Sequence, residues 1–222
     1  MRVGIHQPNF MPWFGYFNKI YNSDTFILLD SVKCSKNSFF NRNKFKSGKS
    51  NFWLTIPLPK SSYSKTINSV TSSDSAWIQK HIKYFKNSHS KTTEKKFLDS
   101  IIEIYQSRAG EENINISNFN IDLISLVVSF LDIEVNILRS SDLEISNTLK
   151  KQDLVIDILK KTSATVYISG TGAKKYQESK DFDNIGIDLK YNNIPETIDR
   201  ESIIDYILRE GKWTTLKKMT LV

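Results

Sequence analysis

Four groups of residues in this chain have the types and spacing for chemistry. His6-Gln7 ends a short apolar run and is followed at once by Pro8. A histidine at a strand end can exchange a proton near neutral pH, and Gln7 offers both a donor and an acceptor. Asp30 closes a second apolar run, 25–29. It can orient His6, hold a sugar hydroxyl, ligate a divalent ion or cap a loop. Lys36-Asn37 and Asn41-Arg42-Asn43-Lys44 place cations beside amides. A guanidinium fork and directional amides suit a phosphate, and the same spacing fits a solvated basic loop. The fourth group is Ser169-Gly170-Thr171-Gly172-Ala173-Lys174-Lys175-Tyr176, between an apolar run and a helix-like stretch. Glycines there let a ligand approach the backbone, and a helix start favours an anion. The loop is neither a Walker motif nor a dinucleotide fingerprint.

The remaining chemistry-bearing residues are sparse. His81 and His89 fall in a helical stretch and read as structural or solvated, so a histidine metal site has little support. The single cysteine, Cys34, excludes an intramolecular disulfide and a multi-cysteine zinc site. No metal or cofactor is expected.

The elements that position these groups alternate. Apolar patterning predicts a strand over 3–6, a helix over 12–21 and a strand over 25–29. Trp13, Phe17, Ile20 and Tyr21 follow helical spacing. Residues 31–50 read as a long loop or loose hairpin, 52–57 as a strand and 66–70 as an edge strand. Helices over 76–85, capped by Ser75, 93–107 and 117–131 make a helical middle. Then come a strand at 134–138, a helix at 152–161, a strand at 165–168, a helix at 173–178, a strand at 187–191 and a helix at 200–208 stopped near Gly211. This alternation predicts an α/β fold with a mostly parallel sheet. The expected organisation is one compact domain: an N-terminal α/β half (1–73), a helical insertion or lid (74–132) and a C-terminal α/β half (133–222).

With 222 residues, 39% hydrophobic and 25% charged, the chain can bury a core and is not disordered. The longest apolar stretch, 121–131, is broken by Asp122 and Ser125 and is too short to cross a membrane. Residues 1–29 lack the pattern of a signal peptide, so the chain reads as cytoplasmic. Net charge is +7 and the pI about 9.3. That excess suits nucleic acid, nucleotide-linked substrates or an anionic surface. A lysine-rich, asparagine-rich composition with no such partner accounts for it equally.

Several blocks together resemble the WbqC-like family. They are His6-Gln7-Pro8, 12–17 (Pro-Trp-Phe-Gly-Tyr-Phe), 26–30, Asn41-Arg42-Asn43, 53–57, 140–143 and 167–172. The resemblance implies a bacterial cytosolic protein associated with surface polysaccharide or O-antigen synthesis. It implies a transferase that adds an acyl or aminoacyl group to a nucleotide-linked amino sugar. An acyl-thioester or an aminoacyl-tRNA would be the donor. On this reading His6 and Asp30 are catalytic. Gln7, Tyr16, Lys36, Asn41, Arg42, Asn43, Lys44, Thr55, Ser169, Gly170, Thr171, Gly172 and Lys174 bind substrate. A looser similarity is to the nucleotidyltransferase-like Rossmannoid core. There the first helix carries His-x-Gly-His, where this chain has Trp13-Phe14-Gly15-Tyr16. Two alternatives stay open: a nucleotidyltransferase-like enzyme, and a non-catalytic accessory protein that binds nucleic acid or another enzyme through its basic surface.

Overall fold

Strand alternation builds the centre of the molecule. The computed structural model describes residues 1–47, 50–72, 74–146, 148–198 and 200–221. In β1 (Arg2–His6), Val3 and Ile5 enter one apolar core, while Gly4 and His6 face the other side. β2 (Thr25–Leu28) is buried throughout, as a strand covered on both faces must be. These strands join β5 (Asn136–Arg139), β6 (Val166–Gly170) and β7 (Asp188–Asn192) in a five-stranded sheet of order β5-β2-β1-β6-β7. Every pairing in it is parallel. The α/β fold with a Rossmann-like core is as the sequence predicts. The chain steps outward from β1 to β2 and β5, then returns to β6 on the other side of β1. That reversal puts a topological switch point between β1 and β6. Clefts open at such points, beyond the carboxyl ends of the strands.

Each face of the sheet has its own core. On one, Val3, Ile5, Ile27 and Tyr167 pack with Leu154, Ile158 and Leu159 of α5 (Lys151–Lys161) and Phe182 of α6 (Ser179–Asp183). On the other, Phe26 and Leu28 meet Phe17 and Ile20 of α1 (Phe14–Tyr21). That second core continues into α2 (Ala76–Ser88), α3 (Lys95–Gln106) and α4 (Ile116–Phe130), and into α7 (Ile203–Glu210) and α8 (Lys212–Thr220). The helical middle thus shares its apolar core with α1 and β2. Among the described residues no helix is long and apolar enough to cross a membrane.

Local differences from the sequence expectations have local causes. The strand expected at 52–57 is β4 (Ser50–Thr55), which leaves the main sheet to pair antiparallel with β3 (Arg42–Ser47). The edge strand expected at 66–70 is a 3₁₀ turn, Ile67–Ser69, between single bridges at Thr66 and Thr71. There the Thr66 hydroxyl donates to Asn68, and the Ser69 hydroxyl donates to the Thr66 carbonyl. Such bonds divert the backbone from strand pairing. At α2 the Ser75 side chain makes no cap bond; Asp74 accepts from the Ala76 amide instead. The helix expected at 173–178 begins directly after β6 as the 3₁₀ helix Thr171–Tyr176. The lysine-rich end folds as α8, set off from α7 by Gly211 at φ 85°.

Candidate functional site

The cleft at the switch point is built from the ends of β1 and β6, the start of α1 and the stretch after β7. Its volume is about 170 Å³. His6 stands at the carboxyl end of β1 with its imidazole half-buried. Nδ1 lies 3.3 Å from the Gln7 carbonyl oxygen, which sets Nδ1 as the donor. Nε2 has no bonded partner among the described residues and keeps its lone pair. The Tyr16 ring meets the imidazole edge-on at 4.9 Å, and its hydroxyl donates to the same Gln7 carbonyl at 3.1 Å. Burial, and then the positive charge of Lys19, push the His6 pKa down to about 3. The ring is therefore neutral at physiological pH.

Lys19 is a cleft-lining residue that sequence reasoning missed. It lies on α1 among Phe17, Ile20 and Tyr21, and its side chain runs back beneath the sheet end. There Nζ donates to the Ile5 carbonyl at 3.1 Å. It is 3% exposed, and burial lowers its pKa to about 7. A single cation inside an otherwise apolar helical stretch was the available signal. Across the cleft, Gly170 has φ −78°, a conformation open to any residue. What its glycine supplies is space: a Cβ there would sit 3.8 Å from Lys19 Nζ. A Cβ at Gly172 would meet nothing within 4 Å. With no Cβ at Gly170 or Gly172, the backbone of these two cleft-lining residues lies bare, on either side of Thr171.

The wall is aromatic and cationic. The Arg200 guanidinium lies 4.3 Å over the Trp13 ring. Trp13 in turn folds across Gly15, where a Cβ would fall 2.4 Å from its ring atoms. Asn192 closes the side by donating to the Gly15 carbonyl at 2.9 Å. Trp13, Asn192 and Arg200 join Lys19 as lining residues that were not among the site candidates read from the sequence. They come from distant segments, and only chain folding groups them.

The structure divides the sequence-predicted residues. His6, Tyr16, Gly170, Thr171 and Gly172 line the cleft. Lys174 sits beside it, its Nζ 4.8 Å over the Tyr191 ring, next to the lining residue Asn192. Gln7 contributes its carbonyl to Tyr16 and His6. Asp30 lies elsewhere. It is fully buried, and its carboxylate accepts from Arg139 at 2.8 Å, the Ser140 hydroxyl at 3.1 Å, the Ser141 amide at 2.9 Å and the Ser141 hydroxyl at 3.0 Å. It does not bond His6, and this saturated contact set joins the ends of β2 and β5.

Ser169 faces away from the cleft. Strand alternation turns it to the Tyr167 side of β6, where its hydroxyl donates to Gln177 at 2.8 Å. Asn41 and Asn43 pin the hairpin, donating to the carbonyls of Ile56 at 2.8 Å and Met11 at 2.6 Å. Arg42, Lys44 and Thr55 lie on the outer face of that hairpin, and Lys36 reaches over the Tyr63 ring at 5.6 Å. His81 and His89 are buried. His81 lies 3.1 Å from the Tyr105 hydroxyl and 3.2 Å from the Thr55 carbonyl, and His89 stands 3.2 Å from Asp205. Both are structural. Among the described residues no three of His, Cys, Asp and Glu come together in a way that could hold a metal ion.

No solved structure matches this chain. The chain is 28% identical to "Uncharacterized protein Rv1507c" of Mycobacterium tuberculosis (strain ATCC 25618 / H37Rv) over 188 residues, covering 84% of this chain and 79% of that protein. The model of the WbqC-like protein family matches residues 7–213, nearly the whole length, with the hairpin, the helical middle and every cleft-lining residue except His6 inside the match. This chain therefore belongs to the WbqC-like protein family.

Proposed function

We propose that the cleft binds a nucleotide-linked amino sugar through its phosphates, and that the protein transfers an acyl or aminoacyl group to the sugar's amine. The observation that carries this reading is the pairing of bare backbone at Gly170 and Gly172 with the buried Lys19 across the switch-point cleft. Exposed glycine backbone and a poorly solvated cation together favour an anion over a neutral ligand. Arg200, already flattened on Trp13, adds a planar fork to the same opening.

In this reading His6 Nε2 accepts a hydrogen bond from the sugar amine. The amine attacks the donor carbonyl, a C–N bond forms, and the C–S bond of a thioester or the C–O bond of an aminoacyl ester breaks. His6 carries the amine proton to the departing thiol or hydroxyl. With the cleft empty, His6 is too weak a base for this, because burial and Lys19 hold its pKa near 3. A bound phosphate offsets Lys19 and raises the basicity of the imidazole, which ties proton transfer to substrate binding. The surface-polysaccharide role implied by the family resemblance suits such a product, a modified sugar precursor.

Titration calorimetry with inorganic pyrophosphate and a UDP-linked amino sugar tests the binding half. Affinity should fall as pH rises through about 7, as Lys19 loses its proton, and Lys19→Met should lose that pH dependence. Affinity that ignores both Lys19→Met and Arg200→Ala would overturn it. The transfer half is tested by incubating the sugar with an acyl-thioester or charged tRNA. Product should form with wild type and drop with His6→Ala; absence of product with every donor rejects transfer.

A further inference from the structure

We infer that the outer face of the β3–β4 hairpin is a stacking platform for single-stranded nucleic acid. The hairpin register places Arg42 opposite Thr55, Lys44 opposite Trp53 and Lys46 opposite Asn51. Alternation turns Asn43, Phe45 and Leu54 into the core, so the other set shares the outer face. At its centre Trp53 is 42% exposed, and beside it Phe39, at 5.9 Å between rings, is 48% exposed. The Arg42 guanidinium lies 4.5 Å from the Trp53 ring centre and Lys44 Nζ 5.5 Å from it. A contiguous exposed apolar patch marks an interaction site where a lone exposed ring does not. Trp53 and Phe39 stand in contact with each other and are flanked by cations.

The occupant follows from that chemistry. An aromatic face offers stacking to any base, and cations spaced along the adjoining strand meet successive phosphates. Acidic partners without flat rings would leave Trp53 and Phe39 unused, and a duplex hides the faces of its bases. The carboxylates at the hairpin edge are engaged: Glu201 accepts from the Asn51 amide at 2.5 Å, and the buried Asp205 accepts from the Lys46 amide at 3.3 Å. The chain's net charge of +7 favours the same partner. The platform also adjoins the cleft: the Lys44 carbonyl accepts from the Ser202 amide at 3.0 Å, and Ser202 bridges to Trp13 of the cleft wall. The inference stands without the transferase reading, since none of the hairpin residues lines the cleft.

Fluorescence anisotropy with a short labelled oligouridylate at low salt tests it. Wild type should bind, and Trp53→Ala should weaken binding about tenfold. Trp53→Phe should keep most of the affinity, because a ring remains. Arg42→Ala with Lys44→Ala should reduce the slope of log affinity against log salt by about 1 to 1.5. Absence of binding by wild type, or equal binding by wild type and the well-folded Trp53→Ala protein, would overturn the proposal. A loss shared equally by Trp53→Ala and Trp53→Phe would also overturn it, since stacking predicts rescue.

Discussion

Two polar clusters sit at the same end of the same sheet, one strand apart, and they differ in how many partners each has. At the ends of β2 and β5, Asp30 is met by Arg139, Ser140 and Ser141 until its carboxylate is saturated. At the ends of β1 and β6, among the described residues, Lys19 has one carbonyl partner and His6 keeps a ring nitrogen without one. The first cluster satisfies itself and so reads as a lock. The second leaves donors and an acceptor turned toward space, which costs stability and suits a ligand. Burial alone does not separate them, because Asp30 and Lys19 are both buried. What separates them is whether the fold completes their hydrogen bonds.

Substitutions should break this contrast in opposite directions. Asp30→Ala removes the buried acceptor shared by the half-buried Arg139 and two serines, and is expected to destabilise by about 3 kcal/mol in denaturant unfolding. A loss below about 1 kcal/mol would mean that Asp30 is no lock. Lys19→Met removes a buried ammonium and should stabilise by about 1–3 kcal/mol at pH 7 while lowering pyrophosphate affinity. The pH dependence sharpens this. The fold holds the Lys19 pKa at about 7, below its ordinary 10.5. Between those values the unfolded chain carries a proton the folded one lacks, so wild type gains stability as pH rises. The advantage of Lys19→Met should therefore shrink from pH 7 toward pH 10, read from unfolding curves across that range.

Smaller effects test the cleft walls. Gly15→Ala would drive a Cβ into Trp13, and about 1–3 kcal/mol of destabilisation is expected from overpacking. Its thermal melt should move together with reduced anion affinity, because the wall moves. Gly172→Ala meets open space and should change stability by less than about 0.5 kcal/mol. Any effect it has should appear in ligand binding alone. A large loss of stability there would mean the loop is a structural turn with no ligand to admit.

Much of the architecture was legible in order. The apolar runs at 3–6 and 25–29, the amphipathic stretch at 152–161 and the glycines after 165–168 named a parallel α/β sheet. The helix expected from 117 begins at Ile116, where Asn115 caps it by accepting from the Asn118 amide. The same reading could not tell Asp30 from a catalytic acid. Its partners begin 109 residues away at Arg139, and nothing local reports them.

The sequence by itself determined which residues stand at strand ends, because period-two alternation and breaker residues act within a few positions. Only the tertiary structure decided which way each of those residues turns and what it meets. Ser169 and Gly170 are neighbours in the chain, yet the pleat sends one to Gln177 and the other to Lys19. Lys19 owes its lowered pKa to burial by segments from across the chain. Those properties belong to the packed neighbours, and the neighbours are set by sheet order.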